Sequence, residues 1–198
     1  MIALLLISIL LLAYTWAVYP WLLAWAARGA CRCPAEAAEP PPSSVAVILA
    51  AHNEERCIAE RIRNLQTVDT GGRTLDVYVG VDASTDATVR CAREAAAGDP
   101  RIHVRAFTER RGKVGILKTL VDELAPTAGG ASKPPPDLLL FTDANTEFAP
   151  DAVVRLLQHF RDPRVGGACG RLILGGRSRS GVSPEGAYWR WENQPKER

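Results

Sequence analysis

Cysteine is scarce and unpaired in this chain: the five, at positions 31, 33, 57, 91 and 169, include no C-x-x-C pair. Their odd number and scatter exclude a disulfide framework and a zinc site. The thiols are therefore expected to be reduced, with Cys57, Cys91 and Cys169 read as small buried hydrophobes in helices or strands. A basic face is also missing. The net charge of +2 comes from interspersed Arg, Asp and Glu, so nucleic acid is not an expected partner. No G-x-G-x-x-G follows an apolar run and no G-x-x-x-x-G-K-[ST] is present, which removes the two common glycine-rich phosphate cradles. His52 reads as a loop residue without a partner carboxylate, His103 as strand-side and His159 as helix-surface, so a histidine metal site is not expected. Neither an internal repeat nor a heptad is visible.

Charge is absent from residues 1–27, a run rich in Leu, Ile and Ala. That length crosses a bilayer core of about 30 Å as a helix. A cleaved signal peptide is the competing reading, since Ala24-Trp25-Ala26 mimics a small-residue cleavage site, but a positive leading region is missing and the apolar run is long. Arg28 and Arg32 follow the run, and positive charge on that side places the rest of the chain in the cytoplasm, as a single-pass protein of the inner or plasma membrane. Tyr14, Trp16, Tyr19, Trp21 and Trp25 crowd the same half, as interfacial aromatics do. Pro20 is expected to kink the helix. Residues 28–44 then read as a linker, stiffened by the prolines of CPAEAAEPPPSS, and residues 45–198 as one soluble domain.

In that domain apolar β-branched runs alternate with helical spacing. Val45–Ala50 reads as a strand, followed by a turn carrying Asn53 and Glu54 and by a helix with Ile58, Ile62 and Leu65 on one face. Val77–Val81 is a second strand, ending at Asp82 and Asp86, with a helix over 87–97. Ile102–Phe107 is a third, after which Arg110-Arg111-Gly112-Lys113 opens a helix to about Leu124. Pro126–Asp137 is a loop insertion. Leu138–Phe141 reads as a buried strand delivering Asp143 and Asn145 to a sheet edge, with a helix over 150–161. Val165–Leu174 is glycine-broken and strand-like, Arg177–Pro184 is a polar loop, and Tyr188, Trp189 and Trp191 form an aromatic segment. Such alternation predicts an α/β fold with a Rossmann-like, mainly parallel, doubly wound sheet and flanking helices.

In open α/β sheets ligands sit beyond the carboxyl ends of the strands. Asn53, Glu54, Asp82, Lys113, Asp143 and Asn145 all fall at such ends. A hard cation such as Mg2+ or Mn2+ needs oxygen ligands, and Asp143-Ala-Asn145 offers two. An Asp-x-Asn triplet can also merely cap backbone amides. Lys113 at a helix start is suited to phosphate, whereas Arg110 and Arg111 read as ordinary solvated charges and Asp86 as a helix cap. Acceptors for a base and ribose, a cation for a diphosphate and a basic residue are together what a nucleoside-diphosphate sugar requires.

The segments VAVILAAHNEE, VGVDASTDAT, RRGKVGIL, LLLFTDANTEFAPDAV, RVGGACGRLIL and YWRWE, spread from Val45 to Glu192, resemble the inverting family 2 glycosyltransferases of GT-A fold. Within that family they are most similar to membrane-bound cellulose and hyaluronan synthases. The resemblance implies that Asn53, Glu54 and Asp82 hold the nucleoside, that Lys113 meets the diphosphate, and that Asp143 and Asn145 occupy an Asp-x-Asp metal site. Asn145 departs from the usual carboxylate, which shifts the electrostatic load to Asp143. The sugar would pass with inversion to a glycan or lipid acceptor. The resemblance also implies a catalytic carboxylate and a Gln-x-x-Arg-Trp motif further on, which this sequence does not contain, and Glu185 and Glu192 are not marked as substitutes. A shortened coding sequence, a partner chain completing the active site, transfer to a polyprenyl or other lipid phosphate, and a nucleotide-sugar-binding domain without turnover are the readings this leaves.

Overall fold

The computed structural model describes residues 2–27, 40–125 and 134–171. Arg28, Arg32, most of the linker and of the 126–137 insertion, the 177–184 loop, Glu185, Glu192 and the YWRWE segment lie outside them. The described residues fall in two units, one holding 2–27 and 169–171, the other 40–125 and 134–168.

In the first unit, α1 (Ile2–Ala13), a π-helical turn (Tyr14–Val18) and α2 (Tyr19–Ala27) follow one another without a break. Residues 2–26 make one helix long and apolar enough to cross a membrane. The π turn explains how Pro20 is accommodated. Proline lacks an amide hydrogen and its ring crowds the carbonyl four residues back. Widening the preceding turn relieves this, and the Tyr19 amide donates to the Tyr14 carbonyl five residues back. The hydroxyls of Ser8 and Thr15 donate to the carbonyls of Leu4 and Leu11 at 2.9 and 2.8 Å, so neither polar group is left unsatisfied in an apolar setting.

The second unit is the α/β fold read from the alternating pattern. Its strands are β1 (Ser44–Ala51), β2 (Thr74–Asp82), β3 (Ile102–Phe107) and β4 (Leu138–Asp143). Its helices are α3 (Ile58–Thr67), α4 (Thr88–Ala96), α5 (Gly112–Leu124) and α6 (Ala152–His159). The strands form one parallel sheet in the order β3-β2-β1-β4. From β1 the chain steps outward to β2 and β3, then returns past β1 to β4. The direction of winding therefore reverses between β1 and β4, and at such a switch point the loops diverge and leave a crevice.

Alternation of side chains divides the core in two. On one face Val45, Val47 and Leu49 of β1 and Leu75, Val77, Val79 and Val81 of β2 pack with Ile58, Ile62 and Leu65 of α3 and with Val153 and Leu157 of α6. On the other, Ala46 and Ile48 meet Phe107 and, from α5, Ile116 and Leu120. That approach is close: a Cβ at Gly80 would stand 2.3 Å from Ile116 Cγ2, so β2 tolerates only glycine there.

The structure corrects the sequence reading in three places. β4 is not buried on both faces. Among the described residues it is the sheet's edge, and Leu139 and Phe141, which share a face with Ala46 and Ile48, are 38% and 54% exposed, because α5 lies over β1 and β2. Of the strand-like segment Val165–Leu174, residues 165–171 form no strand, Gly166, Gly167 and Gly170 supplying no side chain to pack, and 172–174 lie outside the described residues. Cys169 is exposed, and Cys57 and Cys91 are only partly buried.

Candidate nucleotide-sugar site

A cleft of about 290 Å³ opens at the switch point, beyond the carboxyl ends of β1, β2 and β4. Five of the six expected residues line it: Glu54, Asp82, Lys113, Asp143 and Asn145. Ala50, Ala51 and Ala144 form its apolar wall, and their short side chains leave the space open.

Asp82 ends β2 and is 3% exposed. Its two oxygens accept the first amides of α5, from Arg111 at 2.7 Å and Gly112 at 2.8 Å. A carboxylate at a helix N-terminus satisfies orphan donors and complements the helix dipole. Gly112 makes this geometry accessible, with φ at +71°, a conformation other residues adopt only with strain. Each Asp82 oxygen accepts one of the two amides and keeps a second acceptor lone pair.

Asp143 ends β4 and is half exposed. Lys113 Nζ donates to its Oδ1 at 2.5 Å. Both partners are solvent-accessible, so the ion pair is worth at most about 1 kcal/mol and is readily exchanged for another cation. Glu54, in the turn after β1, accepts the Cys57 thiol proton on Oε2 at 3.0 Å. Burial, reinforced by the Glu54 charge, pushes that thiol up to about 11, so Cys57 is a neutral donor that orients Glu54.

Asn53 does not line the cleft. Its backbone is left-handed, with φ at 55°. Its Oδ1 accepts the Thr85 amide at 2.9 Å, while its own amide donates to Ser84 Oγ at 3.0 Å. Glu55 and Asp86 complete this clamp: the Ala87 amide donates to Glu55 and the Glu55 amide to Asp86. Asp86 also takes the Thr88 amide at 3.0 Å, the capping role expected of it. Partial desolvation works to raise its carboxyl, but the hydrogen bonds from Thr88 and Glu55 outweigh it and hold the group below the usual range.

Two cleft residues escaped the sequence reading. His52 follows β1 directly. Its Nδ1 lies 2.5 Å from the Asp82 carbonyl and its Nε2 2.7 Å from Arg110 Nη1. A guanidinium only donates, so Nε2 accepts and the proton sits on Nδ1. Arg110, expected to be a solvated charge, is thereby held at the cleft wall. The signal for His52 was its position, one residue past a strand end like the residues that were singled out.

For a hard divalent cation the fit is favourable but sparse. Asp143 supplies a carboxylate whose present partner is a single exchangeable lysine, and Asn145 a neutral carboxamide. Among the described residues no group of three His, Cys, Asp or Glu converges. A cation placed here would need its remaining oxygens from a bound ligand and water, as Mg2+ and Mn2+ commonly do at diphosphates.

A parallel α/β sheet with flanking helices, carrying acids, an amide and a lysine at its switch point, is a GT-A-like fold with a polar cleft at the usual ligand position. Residues 46–197 match the glycosyl transferase family 2 model, and the chain belongs to that family. It is 33% identical over 156 residues to an N-acetylglucosaminyltransferase of Mesorhizobium japonicum, an alignment covering 76% of this chain and 34% of that protein. An N-acetylglucosaminyltransferase of Rhizobium leguminosarum bv. viciae is 32% identical over 134 residues, covering 67% of this chain and 29% of that protein. This chain thus spans about a third of the length of these relatives. Among solved structures, the mannosyltransferase PcManGT of Pyrobaculum calidifontis, in complex with GDP-Man and Mn2+, superposes with a TM-score of 0.62 at 28% identity, over 81% of this chain and 45% of that one.

Proposed function

We propose that the chain is the donor-binding part of a membrane-anchored family 2 glycosyltransferase of the synthase type. It holds a nucleoside-diphosphate sugar with a divalent cation, for transfer with inversion to a glycan or lipid hydroxyl. Residues 1–27 are its membrane span, 28–44 a linker and 45–198 the transferase region, which faces the cytoplasm. The observation that carries the reading is the Lys113–Asp143 pair at the switch-point cleft. A lysine and a carboxylate with an adjacent amide, exposed and weakly paired, are poised to separate onto a diphosphate and its cation.

In this reading Asp143 and Asn145 would hold the cation, which when bound would supply positive charge to offset that of the departing diphosphate. Lys113, released from Asp143, faces the diphosphate and adds a second positive charge to the leaving group. Asp82 and Glu54 offer acceptors to the base and ribose, and the alanines admit the donor. Arg110, fixed by His52, adds positive charge at the rim. The two further acids of the cleft are already engaged, Glu54 by Cys57 and Asp82 by α5. The described cleft is therefore a donor site, and proton removal from the acceptor hydroxyl is assigned to neither.

The test is calorimetry of the full chain in detergent with UDP- and GDP-sugars, with and without Mn2+ or Mg2+. UDP-N-acetylglucosamine and GDP-mannose come first, since the relatives' names and the ligand of PcManGT point to them. Cation-dependent binding of at least one donor is expected. Absence of any such binding across the panel overturns the reading. Product analysis with hydroxyl and lipid-phosphate acceptors then identifies the acceptor, and donor binding without transfer to either would mark a binding domain.

A further inference from the structure

The largest fully buried side chain of the described protein is not apolar. It is Arg61 of α3, 1% exposed, directly beneath the end of β4. Its Nη2 donates to Thr142 Oγ1 at 2.7 Å and its Nη1 to Asn64 Oδ1 at 2.6 Å. The guanidinium carbon lies 4.2 Å from the centre of the Phe148 ring. Its Nε meets no acceptor among the described residues. Burying a charge with one donor unsatisfied is costly, and a buried aliphatic residue would fill the same space without that cost.

The contacts show what the arginine holds. Thr142 immediately precedes Asp143, and its hydroxyl meets that of Thr146 at 3.0 Å; Thr146 in turn donates to the Asp143 carbonyl at 2.9 Å. Asn64, the other guanidinium partner, accepts the Phe148 amide at 2.9 Å and donates to the Phe148 carbonyl at 3.0 Å. The turn from Thr142 to Phe148, which carries Asp143 and Asn145, is thus pinned at both ends to α3. Burial pulls the guanidinium down to about 10, while the charges of Glu147 and Asp143 act in the opposite direction. Arg61 is therefore a cation at neutral pH.

We infer that Arg61 is a positioning residue which, through Thr142 and Asn64, sets the geometry of the Asp143–Asn145 turn for the cation. The inference deepens the reading of Asp143 as a cation ligand and rests on it. Groups that orient a metal ligand from behind typically change metal affinity about ten- to a hundred-fold when removed. Because Arg61 bonds Thr142 of β4, lies against Phe148 of the turn and bonds Asn64, which itself holds Phe148, its loss acts on the cation-dependent part of nucleotide binding. The metal-free part, which depends on Asp82 and Glu54, is left alone.

The experiment measures UDP and GDP affinity of the full chain in detergent, with and without Mn2+, for the parent and for Thr142→Val, Arg61→Met, Arg61→Lys and Asp143→Asn. Thr142→Val keeps the fold's shape and the buried charge, so it serves where Arg61→Met does not fold. The expected result is a cation-dependent gain in affinity reduced about ten-fold in Thr142→Val and more in Arg61→Met. Arg61→Lys should restore only part of it, and metal-free affinity should stay the same throughout. A gain abolished by Asp143→Asn but untouched in Thr142→Val and in folded Arg61→Met overturns the role of Arg61 alone. A parent with no cation-dependent gain overturns the Asp143 reading and this inference with it. Equal losses with and without Mn2+ would make Arg61 a general scaffold element and also refute the proposal.

Discussion

Asp82 and Asp143 end the two strands that flank β1, and both line the same cleft, yet the fold treats them in opposite ways. Asp82 is 3% exposed and bonded to two backbone amides; Asp143 is half exposed and bonded to one lysine side chain. A backbone amide at a helix start cannot leave without unwinding the helix, so Asp82 is part of the architecture. A lysine on a flexible stem can leave at little cost, so Asp143 is available. Two carboxylates lining one cleft are not equivalent: the mobility of the partner makes Asp82 a fixed acceptor and Asp143 an exchangeable one.

The largest effect expected from breaking this contrast is on stability at Asp82. Asp82→Ala strands two amides that bond a charged acceptor, each such bond being worth about 1.5–3 kcal/mol. Chemical denaturation should show a loss of about 3 kcal/mol, roughly halved in Asp82→Asn, which keeps one acceptor oxygen. Asp143→Ala should change stability by no more than about 1 kcal/mol. Its cation-dependent nucleotide affinity should instead fall about a hundred-fold, or about 2.8 kcal/mol. A stability loss at Asp143 matching that at Asp82 would erase the distinction.

Asn145→Asp adds a charge beside Asp143 and should tighten Mn2+ in the nucleotide complex by about ten-fold; weaker binding would show that Asn145 points away. A smaller effect is expected next to Asp82, where Ala83 has φ at 45°. That conformation costs a Cβ-bearing residue about 1–2 kcal/mol, and glycine's added unfolded-state freedom returns about 0.5–1 kcal/mol of it. Ala83→Gly should therefore raise stability by up to about 1 kcal/mol without altering nucleotide affinity.

The smallest effect lies in the third acid of the cleft, Glu54. Cys57 is raised to about 11 by burial and by Glu54. Its contribution to stability is thus present below the ordinary thiol pKa and is lost as pH rises toward 11. Iodoacetamide should label Cys57 slowly at pH 8, and Glu54→Gln should speed labelling by removing the neighbouring charge. Equal rates in the two proteins would show that Glu54 does not govern the thiol.

Much of the fold was legible along the chain. The runs at 45–50, 77–81, 102–107 and 138–141 are apolar and largely β-branched or leucine-rich, the helices between them repeat apolar residues at helical spacing, and all four runs are strands. The edge position of β4 was not legible, because Leu139 and Phe141 look no different from Leu138 and Leu140. Only the placement of α5 over β1 and β2 leaves one pair uncovered. In the site, Asp82, Lys113 and Asp143 were visible as polar residues beside strand ends or helix starts. Asn53 was equally visible but turns its side chain toward Thr85. Helical spacing sets Arg61, three residues after Ile58 and four before Leu65, on the apolar face of α3 and Arg63 off it, but no local pattern shows that the partners of Arg61 are Thr142 and the Asp143 turn.

The sequence by itself determined the alternation of strands and helices, the apolar N-terminal helix and the chemical types gathered at the strand ends. Those follow from local periodicity and from where apolar runs meet polar residues, which neighbours along the chain decide. Tertiary structure alone decided which strand is the edge, that Asp82 is bonded to α5 while Asp143 is free to exchange, and that Arg61 lies beneath the Asp143 turn. Each depends on a partner far away in sequence, 29 residues for Asp82 and Arg111, 81 for Arg61 and Thr142. Only packing helices onto the sheet brings such pairs within hydrogen-bonding distance, and the same packing removes the water that would otherwise have satisfied them.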